Sequence, residues 1–157
     1  MATNNTFKIN INFIGNKNLL IRNGQLFINV DDEDDWALAD LNSIMAYENT
    51  VVKIKDLDDN KEFFLFLINT NIIVTDNEIK INTFNKMEIY KQNKKAKFDK
   101  VLIKEVMDKI NYYESLQKIG LSLDQFMEEK LLKQKLYILK MEQNLKIVKE
   151  IKYENKK

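Results

Sequence analysis

The sequence predicts an α+β fold: a small antiparallel sheet with helices, followed by a long C-terminal helix that is a candidate coiled coil. Three observations carry this. Phe7, Ile9, Ile11 and Phe13 alternate with Lys8, Asn10 and Asn12, the period of a half-buried strand. Asn23-Gly24 separates two apolar runs, Leu19 to Arg22 and Gln25 to Val30, as a type I′ hairpin turn requires. From Ala96 onward apolar residues recur at helical spacing with neither Pro nor an internal Gly to break them, Gly120 excepted.

In chain order, Asn16 to Asn18 turns the chain between the first strand and that hairpin. The acidic run Asp31 to Asp35 lacks the Gly and Glu of a calcium loop, so it reads as the favoured N-terminus of a helix over about Asp35 to Tyr47. That helix would bury Trp36, Leu38, Ala39, Leu41, Ile44 and Met45. Val51 to Leu57 fits either a helical turn or a strand. Glu62 to Ile68 reads as a strand, and consecutive Phe63 and Phe64 imply burial on both faces. Ile72 to Val74 and Ile79 to Ile81 form a second hairpin about Thr75-Asp76-Asn77.

Phe84 to Lys91 reads as a short helix. Phe98, Val101, Leu102, Val106 and Ile110 mark another over Ala96 to Tyr113, and Gly120 ends the block. Ser122 and Gln125 form a capping box opening a helix from about Leu123 to Lys152. Met127, Leu131, Gln134, Ile138, Met141, Leu145 and Val148 alternate by four and three along it, a heptad seam. Such a helix would exceed a compact domain's width, which favours self-association or partner binding over packing on its own domain.

Composition narrows the chemistry. With no Cys and no His, disulfide scaffolds, thiol nucleophiles, Ser-His-Asp triads and His-bound metals are excluded. Three glycines at wide spacing cannot form a phosphate-cradling loop. No base, nucleophile and orienting group occur together, so no enzymatic activity, metal or cofactor is expected. The longest apolar stretch, Phe63 to Ile68, is too short to span a bilayer, and no targeting segment is seen; a cytoplasmic location in a host cell is the expectation.

Two regions resemble a known family. Arg22 to Phe27, then Asp40 to Thr50, resemble the start of the Bro-N domain, where an "R…NG…WF" hairpin leads into a "DVxxxLGYxNT" helix. Phe98 to Asn111, ending at Tyr112-Tyr113, resembles that family's "FkrWVtxEVLPxIRkxGxY", and Ile81 to Tyr90 sits where it has "INExGLYxLI". Leu26, Ala46, Val101, Asp108 and Asn111 depart from the pattern. Bro-N domains occur in phage antirepressor-like proteins and in large DNA viruses of insects. The resemblance implies an α+β domain over residues 1–118, linked to DNA binding or to interference with a repressor. Residues 121–157 would then be a helix for dimerisation or partner binding.

The charges place the candidate contacts. A net charge of +1 does not advertise a nucleic-acid binder, but it sums an acidic run and a lysine cluster. Lys94, Lys95, Lys97, Lys100 and Lys104 are the densest basic group, and on a helix after Lys95 the last three would share a face. Arg22, Asn49, Thr50 and Lys53 form a second candidate surface, although Asn and Thr there also suit helix capping. Met127, Leu131, Ile138, Met141, Leu145 and Val148 are the candidate dimer or partner seam. The sequence thus points to a phage- or virus-type regulatory protein that binds DNA or sequesters a DNA-associated protein, as a homo-oligomer through its C-terminal helix. The alternative is an interaction-only inhibitor of a host protein, encoded by a mobile element, without DNA contact.

Overall fold

A computed structural model describes residues 6–150. It holds eight strands and two helices: β1 (Phe7–Phe13), β2 (Lys17–Asn29), β3 (Trp36–Leu38), β4 (Ser43–Asp56), β5 (Lys61–Val74), β6 (Glu78–Asn82), β7 (Tyr90–Gln92), α1 (Lys100–Leu116), α2 (Leu123–Leu145) and β8 (Ile147–Lys149). Strands β1, β2, β4, β5 and β6 pair antiparallel in succession, and β6 returns to pair parallel with β1, so the five close into a barrel. The fold is therefore mostly β, not the small α+β sheet with a coiled-coil helix that the sequence suggested.

Alternation along these strands fills the barrel. Ile9, Ile11, Leu26, Ile54, Leu65, Leu67, Ile72, Ile79 and Ile81 are all fully buried inside it. The inward set changes parity along the long β4–β5 pair, from Val52 and Ile54 to Met45 and Tyr47 on β4, and from Leu65 and Leu67 to Ile72 and Val74 on β5. The switch falls beside Asn69, which takes a left-handed φ of 46°. A second layer covers the outside. Val51, Phe64 and Phe66 pack there against Tyr90, Met141, Leu145 and Ile147. Phe63 faces the barrel interior and Phe64 the outer layer, the two-sided burial their adjacency implied.

Three sequence expectations fail for physical reasons. Asn23-Gly24 makes no turn: β2 runs through it, and neither residue has positive φ. Gly24 is instead the point where β2 leaves β1 (Phe7↔Gly24) and joins β4 (Gly24↔Asp56). A Cβ there would meet Ile21 Cγ2 at 2.9 Å, Ile9 Cδ1 at 3.0 Å and the Lys55 carbonyl oxygen at 3.2 Å, so glycine permits a close approach of two strands. The turn that does form, at Gly15 and Asn16, uses φ of 80° and 57°.

The expected helix over Asp35 to Tyr47 is also not formed. Asp31 and Asp32 both adopt positive φ, which makes the acidic run the tight turn between β2 and β3. Asn42 (φ 54°) then breaks the chain before β4. Pairing of β4 with β5 along its whole length overrides the helical spacing of the apolar residues.

Phe84 to Lys91 is irregular, ending in β7. There Asn85 substitutes for a strand: its Nδ2 donates to the Phe66 carbonyl (2.7 Å) and its Oδ1 accepts from the Ile68 N–H (3.2 Å).

The helices are closer to expectation. Asp99 caps α1 by accepting from the Leu102 N–H at 3.0 Å. The Ser122–Gln125 capping box opens α2 as predicted. However, α2 stops at Leu145, because Lys146 turns left-handed (φ 55°) and the chain becomes β8. The expected helix end at Lys152 lies outside the described residues. The heptad seam divides: Met141 and Leu145 are buried on the barrel, with Ile138 packed beside them, Val148 belongs to β8, and Met127 and Leu131 are exposed. A coiled coil is therefore not what the seam encodes.

Candidate nucleic-acid interface

The lysines from Lys94 to Lys100 are placed by the turn between β7 and α1. The Asn93 N–H donates to the Lys146 carbonyl at 2.7 Å, which ties this turn to the end of α2. Asn93 Oδ1 accepts from the Lys95 N–H (3.1 Å) and its carbonyl from the Ala96 N–H (3.1 Å). The turn and the first residue of α1 then face the end of α2 across a cleft of about 500 Å³, lined by Ala96, Lys97, Phe98, Lys100, Gln143 and Lys146. Lys97 precedes α1, so it reaches the cleft from the turn rather than sharing a helix face with Lys100 and Lys104.

Among the described residues, Lys94, Lys95, Lys97, Lys100, Lys104 and Lys146 have no carboxylate within 4.0 Å. The first turn of α1 carries no acid. Placing Lys100 at that position is locally unfavourable, because the helix N-terminus is already positive. The Asp99 carboxylate at the N-cap offsets part of this charge but is bonded to the Leu102 N–H, and the cleft lysines make no ion pair among the described residues, so the local field favours an anion in the cleft.

The second candidate surface does not come together. Arg22 lies exposed on β2, and Thr50 is buried in β4. Lys53 is held on the outer face by Glu62 at 3.8 Å, with its Nζ 5.2 Å from the Phe27 ring and 5.0 Å from the Trp36 ring. Asn49 lines a separate pocket of about 320 Å³ between β4 and the helices, with Gln117, Glu129, Lys133 and Gln134. Its Oδ1 is buried without a hydrogen-bond partner among the described residues.

In that pocket Glu129 is buried and accepts from Gln117 Nε2 at 3.1 and 3.2 Å and from Lys133 at 3.1 Å. The hydrogen bond to Glu129 holds the Lys133 ammonium above its ordinary pKa. Burial, and then Glu88, push Glu142 upward, while Lys149 opposes them. Burial also drives the Tyr90 and Tyr137 hydroxyls well above the usual range.

Gln143 and Lys146 are the cleft residues that sequence reasoning missed. A heptad reading carried the helix through them, whereas the left-handed cap at Lys146 swings the chain toward the β7–α1 turn.

Comparison with known proteins completes the description. A model of the UU051 N-terminal domain matches residues 8–88, and one of the uncharacterised protein UU051 C-terminal domain matches residues 100–150. The chain belongs to the UU051 family. The uncharacterized protein UU051 of Ureaplasma parvum serovar 3 is 36% identical over 151 residues, which cover 92% of this chain and 89% of that protein. No Bro-N match is found, which overturns that resemblance. Of the residues that carried it, Arg22 to Phe27 lie on β2 and Ser43 to Thr50 on β4 rather than on a hairpin and helix, while Lys100 to Asn111 lie on α1. In this chain the two matched regions flank residues 89–99, the segment that holds Lys94, Lys95 and Lys97. Among the described residues no helix is long and apolar enough to cross a membrane, and no cluster of metal-ligating side chains occurs.

Proposed function

We propose that this protein binds nucleic acid through its phosphates, using the cleft between the β7–α1 turn and the end of α2. The observation that carries the reading is the convergence of Lys97, Lys100 and Lys146 on one cleft with no carboxylate in ion-pair range. Lys94, Lys95 and Lys104 extend the same basic surface. Contacts of this kind position a phosphate backbone without reading sequence. The single arginine, Arg22, lies on the barrel and leaves the cleft without a bidentate guanine reader.

The test is fluorescence anisotropy on single- and double-stranded DNA and RNA over a salt series. Binding at low salt should weaken with a log–log slope of roughly 0.7 to 0.9 per phosphate neutralised. Lys97→Glu with Lys100→Glu should lower affinity at least about tenfold and flatten that slope. Lys146→Asn should weaken binding less, and asparagine suits the left-handed backbone there. Lys100→Glu removes an unfavourable helix-dipole interaction, so it should hold or raise stability, and lost binding cannot then be unfolding. No binding at low salt to any of the four probes, or binding unchanged by the lysine variants, overturns the reading.

A second reading, a protein-interaction module without nucleic-acid contact, is favoured by the exposed Leu123, Met127 and Leu131 on α2. Absence of nucleic-acid binding together with association through that face would select it.

A further inference from the structure

We infer that the first half of α2 is a docking surface for a second copy of this chain, packed antiparallel about a two-fold axis near Glu129. One apolar face runs the length of α2. Its C-terminal half, from Tyr137 to Leu145, is covered by Val51, Phe64 and Phe66 of the barrel. Its N-terminal half continues as Leu123, Met127 and Leu131 at four-residue spacing, with 74, 56 and 63% of their surfaces exposed. The side facing α1 is occupied separately: Tyr113 donates to Glu128, and Gln117 to Glu129. Gln134 separates the covered half from the uncovered one, where three apolar side chains stand exposed in succession.

Symmetry and charge identify the occupant. Met127 and Leu131 lie equally far from residue 129, so an antiparallel copy sets each against the other. Asp124 and Lys135 are eleven residues apart, about three full turns, which puts them on the same flank of this stripe. They are about 16 Å apart along the helix and cannot meet within one chain. Neither has an ion-pair partner among the described residues. The same antiparallel arrangement brings each opposite the other in the second copy, twice per dimer, and lays the Lys135 stem over Leu123. A helix face of about three turns is smaller than a standard interface, so the dimer is expected to be transient. The inference does not depend on nucleic-acid binding.

Light scattering and sedimentation on the full chain, at up to about 0.5 mM, should show a concentration-dependent dimer of the weak class. Asp124→Lys should weaken it roughly tenfold, and adding Lys135→Asp should restore it. The chain has no cysteine, which permits a register test. Met127→Cys and Leu131→Cys proteins, mixed under oxidised glutathione, should form a disulfide-linked dimer roughly tenfold faster than either alone, because only 127 and 131 are brought within disulfide reach. A monomer at the highest concentration overturns the inference and leaves the face to a different partner. A dimer indifferent to Asp124→Lys, or one cross-linking faster in either single variant, overturns the register and its two-fold pairing.

Discussion

Gly24 distinguishes the barrel from a hairpin most sharply. A Cβ added at this position meets the buried side chains of Ile21 and Ile9 at 2.9 and 3.0 Å and the Lys55 carbonyl at 3.2 Å. The carbonyl belongs to a strand paired on both edges, and both isoleucines lie in the close-packed interior, so little can give. Overpacking of this kind costs about 2–3 kcal/mol. The reduced entropy of the unfolded chain returns about 0.4–1 kcal/mol for a glycine-to-alanine change. The net loss for Gly24→Ala is then about 1–2.5 kcal/mol, or a fall in Tm of about 2–10 °C for a chain of this length. Gly24→Asn should be worse, since more atoms enter the same gap. A type I′ turn predicts the reverse order, because asparagine tolerates positive φ better than alanine. Urea and thermal unfolding can be followed by circular dichroism and by the fluorescence of Trp36, which packs 5.5 Å from Phe64. A Gly24→Asn protein as stable as the parent, or more stable than Gly24→Ala, would refute a continuous β2.

Three further outcomes follow from the packing. Asn85→Ala removes the amide that serves the Phe66 carbonyl and shares the Ile68 N–H with Thr83, and should cost about 1–3 kcal/mol by urea titration; an unchanged midpoint would show that water replaces it fully. Gln117→Leu leaves the buried Glu129 carboxylate to Lys133 alone and should cost about 1.5–3 kcal/mol at neutral pH, less once Glu129→Gln has removed the charge; equal losses in both backgrounds contradict the contact. Glu142 has a raised folded pKa, so the folded state favours its protonated form, and its contribution to stability is lost as pH rises through that pKa. Glu142→Gln should therefore raise Tm at pH 7 while leaving it nearly unchanged in acid, and a uniform shift at all pH values would exclude the burial effect.

Local patterning reached several elements and missed how they close. The alternation of β1, the β5–β6 hairpin, the two-sided burial at Phe63-Phe64 and the Ser122 capping box were all legible, because each depends on near neighbours. Asn23-Gly24 misled because glycine serves close strand approach as well as turns, and only the position of β4 decides between the two. Trp36 to Met45 has helical spacing, yet Asn42 and the long partner strand β5 impose extended structure. The heptad seam was misread as a coiled coil: Met141 and Leu145 are covered by the barrel, and Val148 lies on β8 beyond the end of α2. Of the candidate site, the lysines before α1 were visible as a cluster. Lys146 was not, because its own left-handed backbone after the last helical turn places it there, 49 positions along the chain from Lys97.

The most direct test is an isotope-labelled protein titrated with a short single-stranded oligonucleotide at low salt, read by backbone amide shifts. The shifts should concentrate in residues 93–104 and 143–146, around Lys97, Lys100 and Lys146. Shifts confined to the Phe27–Trp36–Lys53 face or to the Asn49–Glu129 pocket, or no shifts at all, would contradict the cleft as the nucleic-acid contact.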